Sequence, residues 1–264
     1  MIHRIEAADD PRLDPYRHVA DPRWLRDRGL FVAEGRLVVD RLIALERFSV
    51  HSILVNRAAH AALLELLSTA AAPVFVCDDP TLESITGYNF HRGCLALVAR
   101  PPEVAAADLY GARRILGIEG VANPDNVGGL FRTAAAFGID AILLDATSGD
   151  PLYRKAIRTS MGATLRMPHA RLDEWLPALA RFRERGFRLV ALTPDPGAQR
   201  LDEFASGIGP DDRVIVLVGA EGSGLAGETI AFADGSVRIP IDDALDSLNV
   251  VVAAGIALHA IQGS

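Results

Sequence analysis

"IPIDDALDSLNVVVAAGIALHA" (residues 239–260) sets two apolar elements around a polar interruption. A short apolar strand, Ser236–Ile241, ends the first, and an apolar helix starts at about Ser247. Between them stand Asp242, Asp243, Asp246, Ser247 and Asn249. "DSLN" is a reasonable cap sequence, and Ser247 is the residue expected to cap the helix. A cap accounts for one polar residue. It does not account for Asn249, in the first turn of an otherwise apolar helix. A buried amide without a partner costs roughly 1–3 kcal/mol. Asn249 therefore bonds neighbouring loops or faces a ligand.

Upstream, apolar strands alternate with helical patterns. Arg114–Glu119, Ala141–Asp145, Phe187–Leu192 and Arg213–Gly219 read as strands, with helices over Val127–Phe137 and Asp173–Arg185. Strands this apolar are covered on both faces by helices, which means a mostly parallel sheet. In such sheets ligands bind beyond the carboxyl ends of the strands. The loops after Glu119, Gly219 and Ile241 are the places to look. Before residue 100 a smaller alternation appears. Leu30–Glu34, Val50–Val55, Val74–Cys77 and Cys94–Ala99 read as strands, and Arg36–Glu46 and Ala58–Leu67 as helices. "ARPPEVAAADLYGAR" (residues 99–113) has two prolines and no periodic apolar face, so it reads as a boundary. The expected organisation is an α/β unit over 1–100, a linker over 101–112 and a larger α/β domain over 113–264.

The 264 residues are half apolar, enough for a sizeable core. No apolar run reaches the roughly 18–20 residues of a membrane helix, and the N-terminal stretch has no apolar signal core. Cys77 and Cys94 lack metal-binding or C-x-x-C spacing. The expectation is a soluble, cytoplasmic protein with neither membrane nor metal. The net charge of −7 argues against a nucleic-acid partner. Its distribution qualifies that. Lys155 is the only lysine, and Arg154, Lys155, Arg158, Arg166 and Arg171 fall between Tyr153 and Arg171 with no acid among them. Such a segment grips phosphates or is a solvated face balanced by acids elsewhere.

The first loop, "EGVANPDNVGGLFRTAAAFG", brings a helix N-terminus suited to anions, with Asn126 and Arg132 roughly on one face. Its plain structural reading is an Asn cap and a surface arginine. The second, "LVGAEGSGLAGE", has glycines at 219, 222 and 224. It is neither the G-x-G-x-x-G fingerprint nor a P-loop, which argues against a dinucleotide-dependent metabolic enzyme. Glu221 there suits a partly cationic ligand, or simply sits at a helix start.

Taken in order, "NPDNVGGLFRTAAAFG", "VLVGAEGSGL" and "IPIDDALDSLNVVVAAGIAL" resemble the three motifs of the SpoU (TrmH) class of SPOUT RNA methyltransferases. The resemblance runs from Arg114 to Ala260. It extends more loosely to "FVAEGRLVVDRLI" and "ITGYNFHRGCLALVAR", which resemble the substrate-binding domain that often precedes the catalytic one. It implies an α/β fold with a deep trefoil knot in the C-terminal domain, a homodimer, and methyl transfer from S-adenosylmethionine to a ribose 2′-hydroxyl of RNA, rRNA before tRNA. Carried over by motif, Gly219, Ile239 and Leu248 meet the cofactor. Asn126, Arg132, Glu221, Ser247 and Asn249 line the reaction site. The polar stretch is then the floor of a methyl-donor pocket. Arg132 acts there as a base or as a charged stabiliser. The N-terminal arginines, Arg23, Arg26, Arg28, Arg36 and Arg41, and the His91-Arg92-Gly93 turn are candidates for phosphate contact. A non-catalytic RNA-binding paralogue of the same fold is the alternative.

Overall fold

The computed structural model describes residues 1–87, 92–242 and 244–262. The chain divides into two compact units: Met1–Pro102 with Leu152–Leu165, and Glu103–Pro151 with Arg166 onward.

In the first unit β1 (Ile2–Arg4) precedes α1 (Pro22–Asp27), β2 (Leu30–Glu34), α2 (Arg36–Ala44) and β3 (Val50–Asn56). Then come α3 (Arg57–Ala62), α4 (Leu64–Thr69), β4 (Val74–Cys77), α5 (Asp79–Thr86) and β5 (Cys94–Ala99). The sheet order is β1-β4-β3-β5-β2, with β5 antiparallel to both its neighbours. The helix expected over Ala58–Leu67 breaks at Leu63 into α3 and α4, with no proline or glycine to announce it.

The second unit runs β6 (Arg114–Glu119), α6 (Pro124–Ala136) and β7 (Ala141–Asp145). The chain then leaves it for α7 (Arg154–Thr159), which belongs to the first unit. It returns for β8 (His169–Leu172), α8 (Trp175–Arg183), β9 (Phe187–Leu192), β10 (Gln199–Arg200) and α9 (Leu201–Ser206). β11 (Arg213–Gly219), α10 (Gly227–Phe232), β12 (Gly235–Arg238) and α11 (Val250–Gln262) complete it. Among the described residues the sheet order is β10-β12-β9-β11-β6-β7-β8, and every pairing is parallel. The apolar reading of these strands holds: Ile115, Leu116, Ile118 and Val214–Val218 are buried. Helix α6 buries Val127, Leu130, Phe131 and Ala134, the spacing of one helical face.

Four expectations change. The last strand stops at Arg238, because Pro240 has no N–H to give a ladder. The segment Leu152–Leu165, assigned by sequence to the second domain, packs with the first. Leu152, Ile157 and Leu165 enter the core built by Phe31, Val39 and Ile53. The stretch expected as a linker is not free, since Leu109 and Tyr110 pack in the second unit's core. Finally, the basic segment is mostly internal wiring. Arg154 and Arg158 pair with buried Glu34 at 2.9 and 3.4 Å. Arg171 donates to the carbonyls of Asp145, Ser148 and Gly149 at 2.8, 2.8 and 3.1 Å. Arg41 and Arg47 likewise donate to the carbonyls of Met161 and Leu165. Such groups satisfy backbone acceptors and buried charge before they can meet a phosphate.

Candidate active site

A pocket of about 600 Å³ opens at the carboxyl ends of β9, β11 and β12, where a parallel sheet is expected to bind its ligand. Gly219, Glu221, Ile239, Ser247, Leu248 and Asn249 all line it. The loops after β9, β11 and β12 meet here, whereas the loop after β6 does not line the pocket.

Gly219 closes β11 because nothing larger fits. A β-carbon there would lie 2.1 Å from the carbonyl carbon of Gly224 and from the Leu225 nitrogen. The chain folds straight back over the strand end, and the Gly224 N–H donates to the Ala220 carbonyl at 2.9 Å. Glu221 sits in this fold-back and is exposed, six residues before α10 begins at Gly227. It is therefore not a helix-start residue; it faces the pocket.

Asn249 corrects the reading of the polar stretch. Helix α11 starts at Val250, so Ser247 is not its cap. The Asn249 carbonyl oxygen takes that role, accepting the N–H groups of Val251 at 2.9 Å and Val252 at 3.4 Å. Its amide nitrogen donates to the Glu221 carboxylate at 2.5 Å and to the Asn126 carbonyl oxygen at 3.4 Å. One side chain thus caps α11 and joins it to the loop after β11 and to the start of α6. Ser247 remains on the pocket wall, and Asp243 lies outside the described residues.

Asn126 is also not a cap. Asn123 holds that position, accepting the Asp125 N–H at 2.8 Å, and Asn126 is buried within the first turn of α6. It reaches Asn249 because α6 and α11 pack closely. A β-carbon at Gly129 would meet Val251 at 2.7 Å, so the glycine lets the two helices approach.

Arg132 is the exception. Six residues of helix turn about 600°, which leaves Asn126 and Arg132 about 120° apart around the axis. Asn126 points inward, whereas Arg132 is exposed and outside the pocket wall. Among the described residues nothing bonds it. The expectation that the two share a face fails on that geometry.

Sequence reading missed the β9 end. Leu192, Thr193 and Pro194 line the pocket because β9 lies next to β11 in the sheet, a neighbour relation the chain does not print locally. Two carboxyls stand nearby at strand ends. Glu119 ends β6; burial raises its pKa, against a hydrogen bond from Thr229 at 3.1 Å. Asp145 ends β7. Burial pushes its pKa up, but donors from Ser148, Thr147 and Gly120 outweigh that and hold it below the ordinary value. Among the described residues no group of three or more His, Cys, Asp or Glu is placed to hold a metal ion, and no helix is long and apolar enough to cross a membrane.

The pocket suits a nucleoside-sized, partly cationic molecule. Leu192, Ile239 and Leu248 offer an apolar slot, and Glu221 puts a carboxylate at its edge. A sequence model of the SpoU rRNA Methylase family matches residues 113–259. A Mycobacterium tuberculosis protein named as an uncharacterized tRNA/rRNA methyltransferase is 38% identical over 95% of this chain and 88% of its own length. A Synechocystis protein with a name of the same kind is 33% identical over 88% of this chain and 75% of its own. The SpoU methyltransferase AviRb of Streptomyces viridochromogenes, solved with AdoMet, superposes with a TM-score of 0.82 at 21% identity, covering 96% of this chain and 98% of that one. An AdoMet-bound rRNA methyltransferase of Sinorhizobium meliloti does so at 0.83 and 21%, covering 99% and 98%. At such identities the structural likeness is one of fold; with the family match and the mycobacterial relative, it follows that this chain belongs to the SpoU rRNA methylase family.

Proposed function

We propose that the protein, an RNA methyltransferase by family, transfers the methyl group of S-adenosylmethionine to a ribose 2′-hydroxyl of RNA, rRNA in preference to tRNA. One observation carries the reading. Glu221 and Asn249 line a nucleoside-sized pocket and are hydrogen-bonded to each other, and Asn249 also bonds Asn126 in the first turn of α6. The mycobacterial relative's name and the AdoMet in two structural neighbours supply the substrate classes.

Bound there, S-adenosylmethionine supplies a methyl on a sulfonium that leaves without protonation. The chain's own task is the acceptor. An alcohol must shed its proton as it attacks, and holding it in line supplies much of the rate. Gly219, Ile239 and Leu248 hold the cofactor. Glu221, Ser247, Asn249 and Asn126 shape the reaction site, with Glu221 complementing the sulfonium charge. Arg132 belongs to the acceptor side. A guanidinium is a poor base, so its work is to grip the RNA phosphate and stabilise developing alkoxide charge. Its exposure fits a site completed by pairing of two copies. Val252 and Ile256 on α11 are 50% and 40% exposed, which supports such a dimer. The trefoil knot and the RNA-selecting role of the first unit are part of the same reading. Arg23, Arg26, Arg28 and Arg36 are exposed there, with Arg28 lying 4.0 Å over the Trp24 ring. His91 lies outside the described residues.

The test is direct. The protein is incubated with methyl-labelled S-adenosylmethionine and, separately, unmodified rRNA and tRNA. The RNA is then digested and labelled nucleosides are identified by mass spectrometry. A 2′-O-methylnucleoside from rRNA supports the reading; a base-methylated nucleoside, or NAD binding in place of S-adenosylmethionine, overturns it. Cofactor binding with no label in either pool points to the non-catalytic paralogue. Arg132→Ala should lose at least about 100-fold in transfer at unchanged cofactor affinity. Wild-type turnover would remove Arg132 from the site.

A further inference from the structure

The loop after β7 carries a device that the three motifs do not contain. Asp145 accepts the Gly120 N–H at 3.0 Å, the Ser148 N–H at 2.9 Å and the Thr147 N–H at 3.2 Å. The Ser148 hydroxyl donates to it at 2.5 Å, and the Thr147 hydroxyl does so as well. Gly120 is the first residue after β6 and opens the loop that leads into α6. One carboxylate therefore ties the β7 loop to the β6 loop.

The tie is reinforced from two sides. The Gly149 N–H donates to the Val121 carbonyl at 2.9 Å. A β-carbon at Gly149 would lie 2.9 Å from the Ala122 oxygen and 3.2 Å from a methyl of Val127, the residue after Asn126. On the other side Arg171 holds the carbonyls of Asp145, Ser148 and Gly149. Residues 145–149 are gripped by Asp145 within and by Arg171 from β8, and they abut residues 120–122 and Val127. Asn126 immediately precedes Val127, and its bond to Asn249 is already long at 3.4 Å. A small shift of the α6 start breaks it.

We propose that Asp145 is a positioning residue: its carboxylate fixes the Gly120–Asn123 turn and thereby holds Asn126 against Asn249. The inference rests on the reading of Asn126 as a site residue. Burial of this side chain disfavours its charge, and its donors more than restore it, so the carboxylate is ionised at neutral pH. An amide in its place keeps one acceptor, and its NH2 must face either the Thr147 N–H or the Gly120 and Ser148 N–H groups, so one side of the tie is lost in either orientation. Asp145→Asn therefore loosens the turn while changing volume little.

The first readout needs neither RNA nor cofactor. In nitrogen-15 spectra of the apo-protein, the Asn249 side-chain amide reports its partners. Asn126→Ala moves that resonance, and Asp145→Asn moves it in the same direction. Amide exchange at Gly120 and Ser148 speeds up by about tenfold or more, while that of β6 and β11 is unchanged. An unmoved Asn249 resonance in Asp145→Asn overturns the proposal.

The second readout is kinetic, with methyl-labelled S-adenosylmethionine and whichever unmodified RNA pool accepts label. Asp145→Asn lowers kcat by about 10- to 100-fold at an S-adenosylmethionine Kd within about twofold of wild type. In an Asn126→Ala background the same change lowers kcat no further. A purely structural role predicts instead a lower melting temperature with normal kcat in the folded protein, and additive effects in the double variant. Gly149→Ala is the second variant, since it pushes on the Ala122 carbonyl while leaving Asp145 intact. It shifts the Asn249 resonance as Asp145→Asn does. If Asp145→Asn moves the resonance but Asn126→Ala turns over at the wild-type rate, the positioning stands and the catalytic reading of Asn126 falls.

Discussion

The Asn249 side chain donates to the Glu221 carboxylate at 2.5 Å while its own carbonyl oxygen caps α11 through the Val251 N–H at 2.9 Å. On the proposed reading stability and chemistry pass through one amide, and substitution can separate them. Asn249→Asp keeps the cap oxygen and even favours the helix dipole. It also sets a second carboxylate against Glu221. The expected outcome is a melting temperature close to wild type with methyl transfer down by about 100-fold or more. Asn249→Ala loses both functions, and costs about 1 kcal/mol of stability as well. Thermal denaturation beside the nucleoside assay separates these outcomes. An active Asn249→Asp would leave the amide with capping alone.

Gly219→Ala tests the fold-back over β11. Its β-carbon would lie 2.1 Å from backbone atoms of Gly224 and Leu225, so the loop must move. We expect a loss of about 1–3 kcal/mol in stability, the usual range for overpacking. Calorimetric titration should show at least about a tenfold loss of S-adenosylmethionine affinity, because the displaced loop lines the pocket. Unchanged affinity would show that the loop wall does not touch the ligand.

Glu34 is the anion on which Arg154 and Arg158 depend, its side chain 4% exposed and 2.9 Å from Arg154. Glu34→Ala takes the paired carboxylate from a largely buried guanidinium. Removing one partner of such a pair costs about 3–5 kcal/mol. Urea denaturation should show that loss, and the double change Glu34→Leu with Arg154→Met should recover most of it. A loss below about 1 kcal/mol would mean that water reaches the pair.

Glu119 gives a pH signature. Burial raises its pKa above the ordinary 4.5, so the folded protein favours the neutral acid. The stability it contributes is complete below 4.5 and is lost as pH rises through the folded value. Glu119→Gln cannot ionise. Its stability relative to wild type should therefore improve as pH rises from 4.5 through the folded value and level off above it, measured by urea denaturation at each pH. Parallel pH curves would mean that Glu119 ionises freely in the folded state.

The strands that build the sheet were readable because their burial is written in continuous apolar runs. "RVIVLVG" and "RILGIE" admit few other readings. The loops after Gly219 and Ile241 that line the pocket were readable because polar residues stand where the pattern demands apolar ones. What stayed hidden depends on partners far along the chain. Arg154 looks like a phosphate ligand until Glu34, 120 residues earlier, takes its charge. Asn249 announced that it needed a partner, but nothing local showed that it would cap α11 as well. Arg132 was placed with Asn126 by counting residues, and the helical repeat turns it away. Asp145 gave no signal, since an acid at a strand end resembles any other. Short elements such as α10 and β10 escaped because two to six residues carry too little periodicity.

The return of Leu152–Leu165 to the first unit has a consequence for synthesis. Residues 1–102 leave the ribosome with a gap where Leu152, Ile157 and Leu165 belong. The last of these is made 63 residues later (165 minus 102). At roughly 5–20 residues per second the nascent first half waits about 3–13 s with apolar walls uncovered. That interval is where a chaperone would act. It is also why a fragment cut at Pro102 should be sticky rather than merely small.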